Sequence, residues 1–338
     1  LATLAGWADR ATSEWLALID ADPCATPSHH PDTWRAMGAA LAAYRMRLVE
    51  VREAGRLVGG APFAIETRLG LTWLHGMPFG LSAAPLALPG RGAEVDEAVG
   101  RALAAFHREH GLVGGEWACG RADGAPVAAA ALELLPGETR FMESAVIDLG
   151  AGDEAVRSRM DRKTRQNIVR SASRGVRCEE DASALERVYA LHARQARAWR
   201  GHRPLPLELS RRLLEAGVAH VLVAHDREGV LCGLFALDAP HETFLWWSGS
   251  HPSARASDAT PRLMAWAAAW AAERGRRRLN LGASRGLPAL ESFKRSMGSR
   301  VVRYPVRWLS SGARAPLGRV AAALQRRVRQ SRHRGKPE

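Results

Sequence analysis

Lysine is scarce in this chain of 338 residues: Lys163, Lys294 and Lys336 are its three lysines, so 45 of the 48 basic residues are arginine. With the abundance of Ala and Gly, this bias reads as a GC-rich genome more than as a designed arginine surface. Cysteine is scarce too. Cys24, Cys119, Cys178 and Cys232 lie far apart with no C-x-x-C. That excludes a thiolate zinc ribbon, argues against a disulfide framework and fits a reducing cytoplasm. No apolar run approaches the ~18–20 residues that span a bilayer; residues 125–135 and 264–272 fall well short. The opening segment LATLAGWADRATSEW has no basic stretch leading into an apolar one, so a secretory leader is not expected. There is no Walker loop and no G-x-G-x-x-G, which leaves nucleotide-driven and nicotinamide chemistry without support. His107 and His110 are three apart but have no further ligand-type cluster, and His29 and His30 are adjacent. A metal site is therefore not expected.

What is present is an ordinary globular balance. Apolar residues make up 46% and charged residues 25%, enough to bury a sizeable core over roughly two domains of ~100–200 residues. The net charge is +13, of which residues 310–338 carry +7. The body is only mildly basic. Such a chain meets nucleic acid, anionic lipid or a phosphorylated substrate, or is simply kept soluble.

Hydropathy patterning gives the organisation. Residues 31–44 read as a helix and 45–80 as short alternating runs broken at Ala54-Gly55 and Leu69-Gly70, an antiparallel meander. A helix over 94–110 and a strand over 113–119 follow. The second half repeats the plan: helices over 153–173, 184–199 and 206–216, a meander over 220–250, a helix over 260–274, a strand over 277–281, a short helix over 287–297 and a last strand over 300–309. The two meanders align at an offset of 174, pairing Val49 with Val223, Gly55 with Gly229, Gly59 with Gly233 and Trp73 with Trp247. Two related modules follow, with a link near 136–152.

Several motifs are weighed on their surroundings. Gly282-Ala283-Ser284-Arg285-Gly286 fits G-x-S-x-G between a strand and a helix, the setting of a nucleophile elbow. A triad would need an acid and a His downstream. Residues 285–338 hold no Asp and one His, His333, in the basic tail, so a hydrolase is excluded. The same turn remains able to bind an oxyanion through backbone N–H groups. The pattern R/Q-x-x-G-x-G/A occurs at 35–40 and 56–61, in a helix and inside a strand, and is absent after Trp247. Residues 157–175 form a densely basic helical stretch, a solvated face or an anion-binding one, with Arg165 and Asn167 near its centre. Lys294 is conspicuous where arginine is the rule. Its ammonium is either a surface charge or a point charge that stabilises a carbonyl oxygen becoming an oxyanion.

The segment LWWSGS through RLMAWAAAWAAERGRRRLNLGASRGLPALESFKRSMGSRVVRYPV, with Lys163-Thr-Arg-Gln-Asn167-Ile168 through Ala172 to Gly175-Val176, resembles the Fem-type branch of the GNAT superfamily. That branch includes peptidoglycan-bridge aminoacyltransferases and the cellulose-biosynthesis acetyltransferase-like proteins. The resemblance covers about residues 20–309. It implies an α/β (α+β) fold of tandem GNAT-like domains, each a mixed, mostly antiparallel sheet flanked by helices: an N-terminal domain over 1–140, an acyltransferase domain over 141–310 and a basic amphipathic tail over 311–338. It carries the family's Phe-Lys pair onto Phe293 and Lys294, beside the transferring carbonyl, although the family's F-K-x-G-F-G ending reads FKRSMG here.

The expectation is an N-acyltransferase for a cell-envelope precursor or polysaccharide. Lys294 is its catalytic residue, and Phe293, Arg165, Asn167, Trp247, Ser284 and Arg285 bind substrate. Glu242, Asp258 and Tyr304 are the candidates for a general base. No cofactor is held tightly; acyl-CoA or aminoacyl-tRNA is the co-substrate. The alternative is a non-catalytic GNAT-fold binding or scaffold protein in envelope or exopolysaccharide synthesis. In the tail, Leu317, Val320, Ala321, Leu324 and Val328 draw an apolar stripe among arginines over residues 316–336. It is a helix packed on its own domain, a peripheral contact with an anionic membrane, or a nucleic-acid contact. A bacterial cytoplasmic protein, peripheral at the inner membrane, is the corresponding location.

Overall fold

The computed structural model describes residues 3–121, 127–198, 204–284 and 286–310. The first half contains β1 (Thr3–Ala8), α1 (Ser13–Ala21), α2 (Pro31–Ala40), β2 (Tyr44–Glu53), β3 (Arg56–Arg68), β4 (Leu71–His75), β5 (Leu86–Ala87), α3 (Gly92–His110), β6 (Gly114–Ala118), α4 (Ala129–Glu133) and β7 (Gly137–Asp148). The second contains α5 (Asp153–Arg159), α6 (Arg162–Ser173), β8 (Arg177–Glu180), α7 (Leu185–Ala198), α8 (Leu207–Glu215), β9 (Ala219–His225), β10 (Val230–Asp238), β11 (Glu242–Ser250), α9 (Ala259–Glu273), β12 (Arg278–Asn280), α10 (Pro288–Ser296) and β13 (Arg300–Ser310). The tail with its apolar stripe lies outside the described residues. Among the described residues, no helix is long and apolar enough to cross a membrane.

The strands form one mixed, mostly antiparallel sheet in the order β1-β2-β3-β4-β6-β13-β7-β12-β11-β10-β9-β8, with β5 on β3. The parallel contacts are β4 with β6 and β11 with β12, each bridged by a crossover helix, α3 or α9. These helices have the sequence such crossovers need. In α3, Val95, Val99, Leu103 and Phe106 recur at helical spacing and are buried, and Gly111 takes the left-handed conformation that ends it. In α9 the stripe is Leu263, Ala267, Trp270 and Ala271.

The halves are not two beads on a string. β7, the last strand of the first half, pairs with β12 of the second. β13, the last strand of the second half, pairs with β6 of the first. β7 and β13 also pair with each other, from Arg300 opposite Val146 to Leu309 opposite Gly137. The expected link at 136–152 is thus mostly a central strand, and the 140/141 boundary falls inside it. Helices cover the back of the sheet in two separate cores, one around α3 with Phe63 and Trp117, the other around α9 with Ile147 and Leu279. The front core is shared: Trp15, Ile19 and Met37 of the first half join Val188, Leu213 and Phe235 of the second.

The repeat exists in topology but not at the register read from sequence. Val49 packs in the back core and Val223 in the front core. The first hairpin turns in two residues, Ala54-Gly55, while the second spans residues 226–229. A one-residue slip sends every side chain to the other face, so a turn of different length moves the true correspondence off 174. The strand and helix at Thr3–Ala8 and Ser13–Ala21 were not anticipated. The single helix expected over 153–173 breaks at Met160-Asp161, where Asp161 takes up the N-cap position of α6.

Candidate active site

The front of the central strands carries a cleft of about 2030 Å³. Its floor follows the strand period of two: Met142, Ser144 and Val146 of β7, and Val302, Tyr304, Val306 and Trp308 of β13. The second half of the chain supplies Phe244, Trp246 and Trp247 from β11. The first half supplies Glu116 from β6 and Met77, Phe79 and Ser82 from the loop after β4.

The two halves meet this cleft with different strand geometry. In the second half, β11 and β12 pair over three residues, Glu242–Phe244 against Arg278–Asn280. Past that point the chain follows β7: Leu281 N–H donates to Ala145 O at 2.8 Å and Ala145 N–H donates to Gly282 O at 3.0 Å. β11 stays on β10 as far as Ser250, which lies opposite Cys232. The strands therefore part, and among the described residues no strand lies on the β12 side of residues 245–250. Gly282 makes the turn at φ +70°, and a Cβ there would reach 3.3 Å from the Phe244 ring. A bulge at Trp246, between the pairs Phe235–Trp247 and Ala236–Leu245, re-aims the indole. Its Nε1 donates to Phe79 O at 3.1 Å, tying the two halves across the cleft. Trp247 stacks on Phe235 at 4.8 Å, and the His192 ring lies against it. The far end of β11 is held by α7, where His192 Nδ1 bonds Ser248 O at 2.8 Å and Gln195 accepts from Ser250 N–H at 3.2 Å.

Lys294 stands where the strands part. α10 carries it into the cleft, 5% exposed, and its Nζ donates to Gly282 O at 2.8 Å and Ala283 O at 3.0 Å. Phe293 and Ser284 line the same end, as does Asn167 of α6, which accepts from Arg170 at 2.7 Å. Arg165 goes elsewhere: its guanidinium donates to the carbonyls of Arg157, Ser158 and Met160, closing the break between α5 and α6, and it does not line the cleft. Arg285 lies outside the described residues.

Of the candidate bases, Tyr304 lies on the floor. Glu242 is 2% exposed, and burial raises its pKa against the pull of Arg278 and Asn280. It connects to the floor through Asn280, which donates to it at 3.2 Å and accepts from Ser144 at 2.6 Å. Asp258 is held by Arg170 at 2.7 and 3.0 Å. Sequence reading missed Glu116, His192 and Trp246. For Trp246 the signal was the paired tryptophans of LWWSGS; nothing local marked Glu116 or His192.

In the first half, β4 ends where its pairing with β6 ends, at His75 opposite Glu116. Gly76 N–H then donates to Glu116 O at 2.6 Å, so the chain does not leave β6. It turns through Met77, Phe79 and Gly80, all at positive φ, and covers the place where a groove would open. On the cleft face beside it, His75 donates to Glu116 at 2.8 Å and Glu66 at 3.1 Å. Burial opposes charge on this ring, but the two carboxylates outweigh it and raise its pKa to about 9.

Residues 154–295, which contain the parted strands and Lys294, match the family model described as an acetyltransferase (GNAT) domain. The second half of the chain carries a GNAT acetyltransferase domain. Among solved structures, the chain is similar to FemX, with a TM-score of 0.73 at 11% identity over 92% of this chain and 99% of that one. It is also similar to the C-terminal domain of a putative lysylphosphatidylglycerol synthetase from Agrobacterium fabrum, with a TM-score of 0.60 at 11% identity over 92% and 95% of the two chains. A third is a tandem GNAT protein from the clavulanic acid biosynthesis pathway, with a TM-score of 0.52 at 13% identity over 91% and 98%. No curated protein matches the chain in sequence. Identities this low speak for the fold, and the GNAT domain here shares that fold with a second, altered copy in the first half.

Proposed function

We propose that the protein is an N-acyltransferase that works at the central cleft on a cell-envelope precursor or polysaccharide. The observation that carries this reading is the parting of β11 and β12 with a buried ammonium at the fork. The part of the β11 edge that α7 leaves open, beside Trp246 and Trp247, can bind an extended ligand through its amides, and the fork directs such a ligand's acyl end toward Lys294. The acceptor amine then attacks the acyl carbonyl, the C–N bond forms, and the bond from that carbon to its carrier breaks as the amine proton passes to the departing group. Lys294, fixed by two carbonyls, stabilises the oxygen as it becomes an oxyanion, and the cleft walls supply positioning. Phe293, Ser284, Asn167 and Trp247 contact the substrates; Arg165 instead braces α6. The envelope-related names of FemX and the lysylphosphatidylglycerol synthetase domain support the acceptor class by analogy. A polysaccharide fits a floor bearing Tyr304 and Trp308 on one face of β13. The two donors to distinguish are acyl-CoA and aminoacyl-tRNA. Incubating the purified chain with labelled acyl-CoAs and charged tRNAs, each with amino-sugar and peptide-amine acceptors, should yield a labelled amide. A chain that binds acceptors yet transfers no label from any donor is the scaffold protein of the alternative reading.

A further inference from the structure

Resting on the acyl-transfer reading, we infer that Asp258 is a specificity residue that closes the start of α9 to a donor's diphosphate, so that the donor is held by its acyl-bearing end along β11 instead. A diphosphate at a helix start needs backbone N–H groups that point outward and no competing negative charge. The turn that leads into α9, residues 250–258, spends its N–H groups on itself, and Asp258 sets a carboxylate in front of the helix's own first N–H groups, those of Ala259 and Thr260. Ser253 N–H donates to the His251 ring and Ala254 N–H to His251 O. Ala256 and Ser257 N–H both donate to Ser253 O, and Asp258 N–H donates to Arg255 O. The segment contains no glycine to let a phosphate approach the backbone.

The negative charge is built in as well. Asp258 holds the N-cap position of α9 at φ +54°, with no side-chain capping bond of its own. Its carboxylate faces the cleft and sits on two guanidiniums: Arg170 at 2.7 Å and Arg174 at 3.6 Å. The carboxylate thus occupies the cationic seat that a phosphate would otherwise fill. Arg174 is further tied to Ala256 O at 2.6 Å, which keeps the turn closed over α6.

Calorimetric titration with coenzyme A tests this by binding alone, independent of any transfer assay. The wild-type chain should show no binding below about millimolar Kd. Asp258→Gly suits the positive φ, removes the carboxylate and releases Arg170 and Arg174; it should bind coenzyme A at least tenfold more tightly, with the gain falling as salt rises. Asp258→Asn, which also tolerates that backbone and guards against misfolding of the glycine variant, should show a smaller gain. Adding Arg170→Ala and Arg174→Ala should abolish it. Micromolar binding by the wild type, or no gain in either Asp258 variant, overturns the inference.

Discussion

The same strand-helix-strand plan meets the cleft twice, and only one copy opens. In the second half β12 leaves β11 after three residues and follows β7. In the first half β4 and β6 also pair over three residues, but β4 ends there and its chain stays on Glu116 through Gly76. The difference traces to particular residues. Gly115 lets β6 press against β4; a Cβ there would lie 1.8 Å from Leu74 O. The matching strand of the second half carries Leu279 opposite Thr243. The His75 cluster then anchors Glu116 on the cleft face of the closed strands. Duplicating a fold therefore does not duplicate its groove. The first copy has become a wall and a loop for the cleft of the second.

The comparison breaks most sharply at Lys294. Lys294→Ala should lower turnover by about 10²–10³, the scale for one oxyanion donor, while the donor's KM stays within a few-fold. A large rise in KM with unchanged kcat would make Lys294 a clamp on the turn at Gly282 and nothing more. Next is Gly115→Ala, which adds a side chain at φ +144° against the backbone of β4. Strain and overpacking together should cost roughly 4 kcal/mol in urea unfolding; near-wild-type stability would mean that β4 and β6 are not so closely joined.

His75 sharpens the comparison through pH. Its folded pKa of about 9 lies above the unfolded value of about 6.5. Its stabilisation is therefore full below about pH 6.5 and lost as pH rises through 9, roughly 3 kcal/mol in all. His75→Gln should remove that slope from the wild-type stability curve, and an unchanged slope would show the ring to be neutral. The smallest effect belongs to Trp246→Phe. It deletes the bond to Phe79 O and should cost about 1 kcal/mol while weakening acceptor binding, because it loosens the tie between the halves.

Much of this was legible in the chain. Alternation and turn residues marked both meanders, and the apolar spacing of α3 and α9 marked the crossovers. Lys294 stood out against an arginine background. The exchange of β7 and β13 was not legible, because pairing between strands some 160 residues apart leaves no local pattern. The face shift between Val49 and Val223 was hidden for a related reason: a longer turn changes register without changing the strands it joins. Arg165 looked like a ligand-binding charge because composition cannot show that a guanidinium is already spent on carbonyls. Glu116 and His192 were invisible as cleft residues until the sheet brought the halves together.

The most direct test is hydrogen exchange, read by peptide, with and without the donor that the transfer panel returns. The account predicts slowed exchange across residues 242–250 and no change across 71–80. Protection confined to 71–80, with 242–250 unaffected, would contradict it.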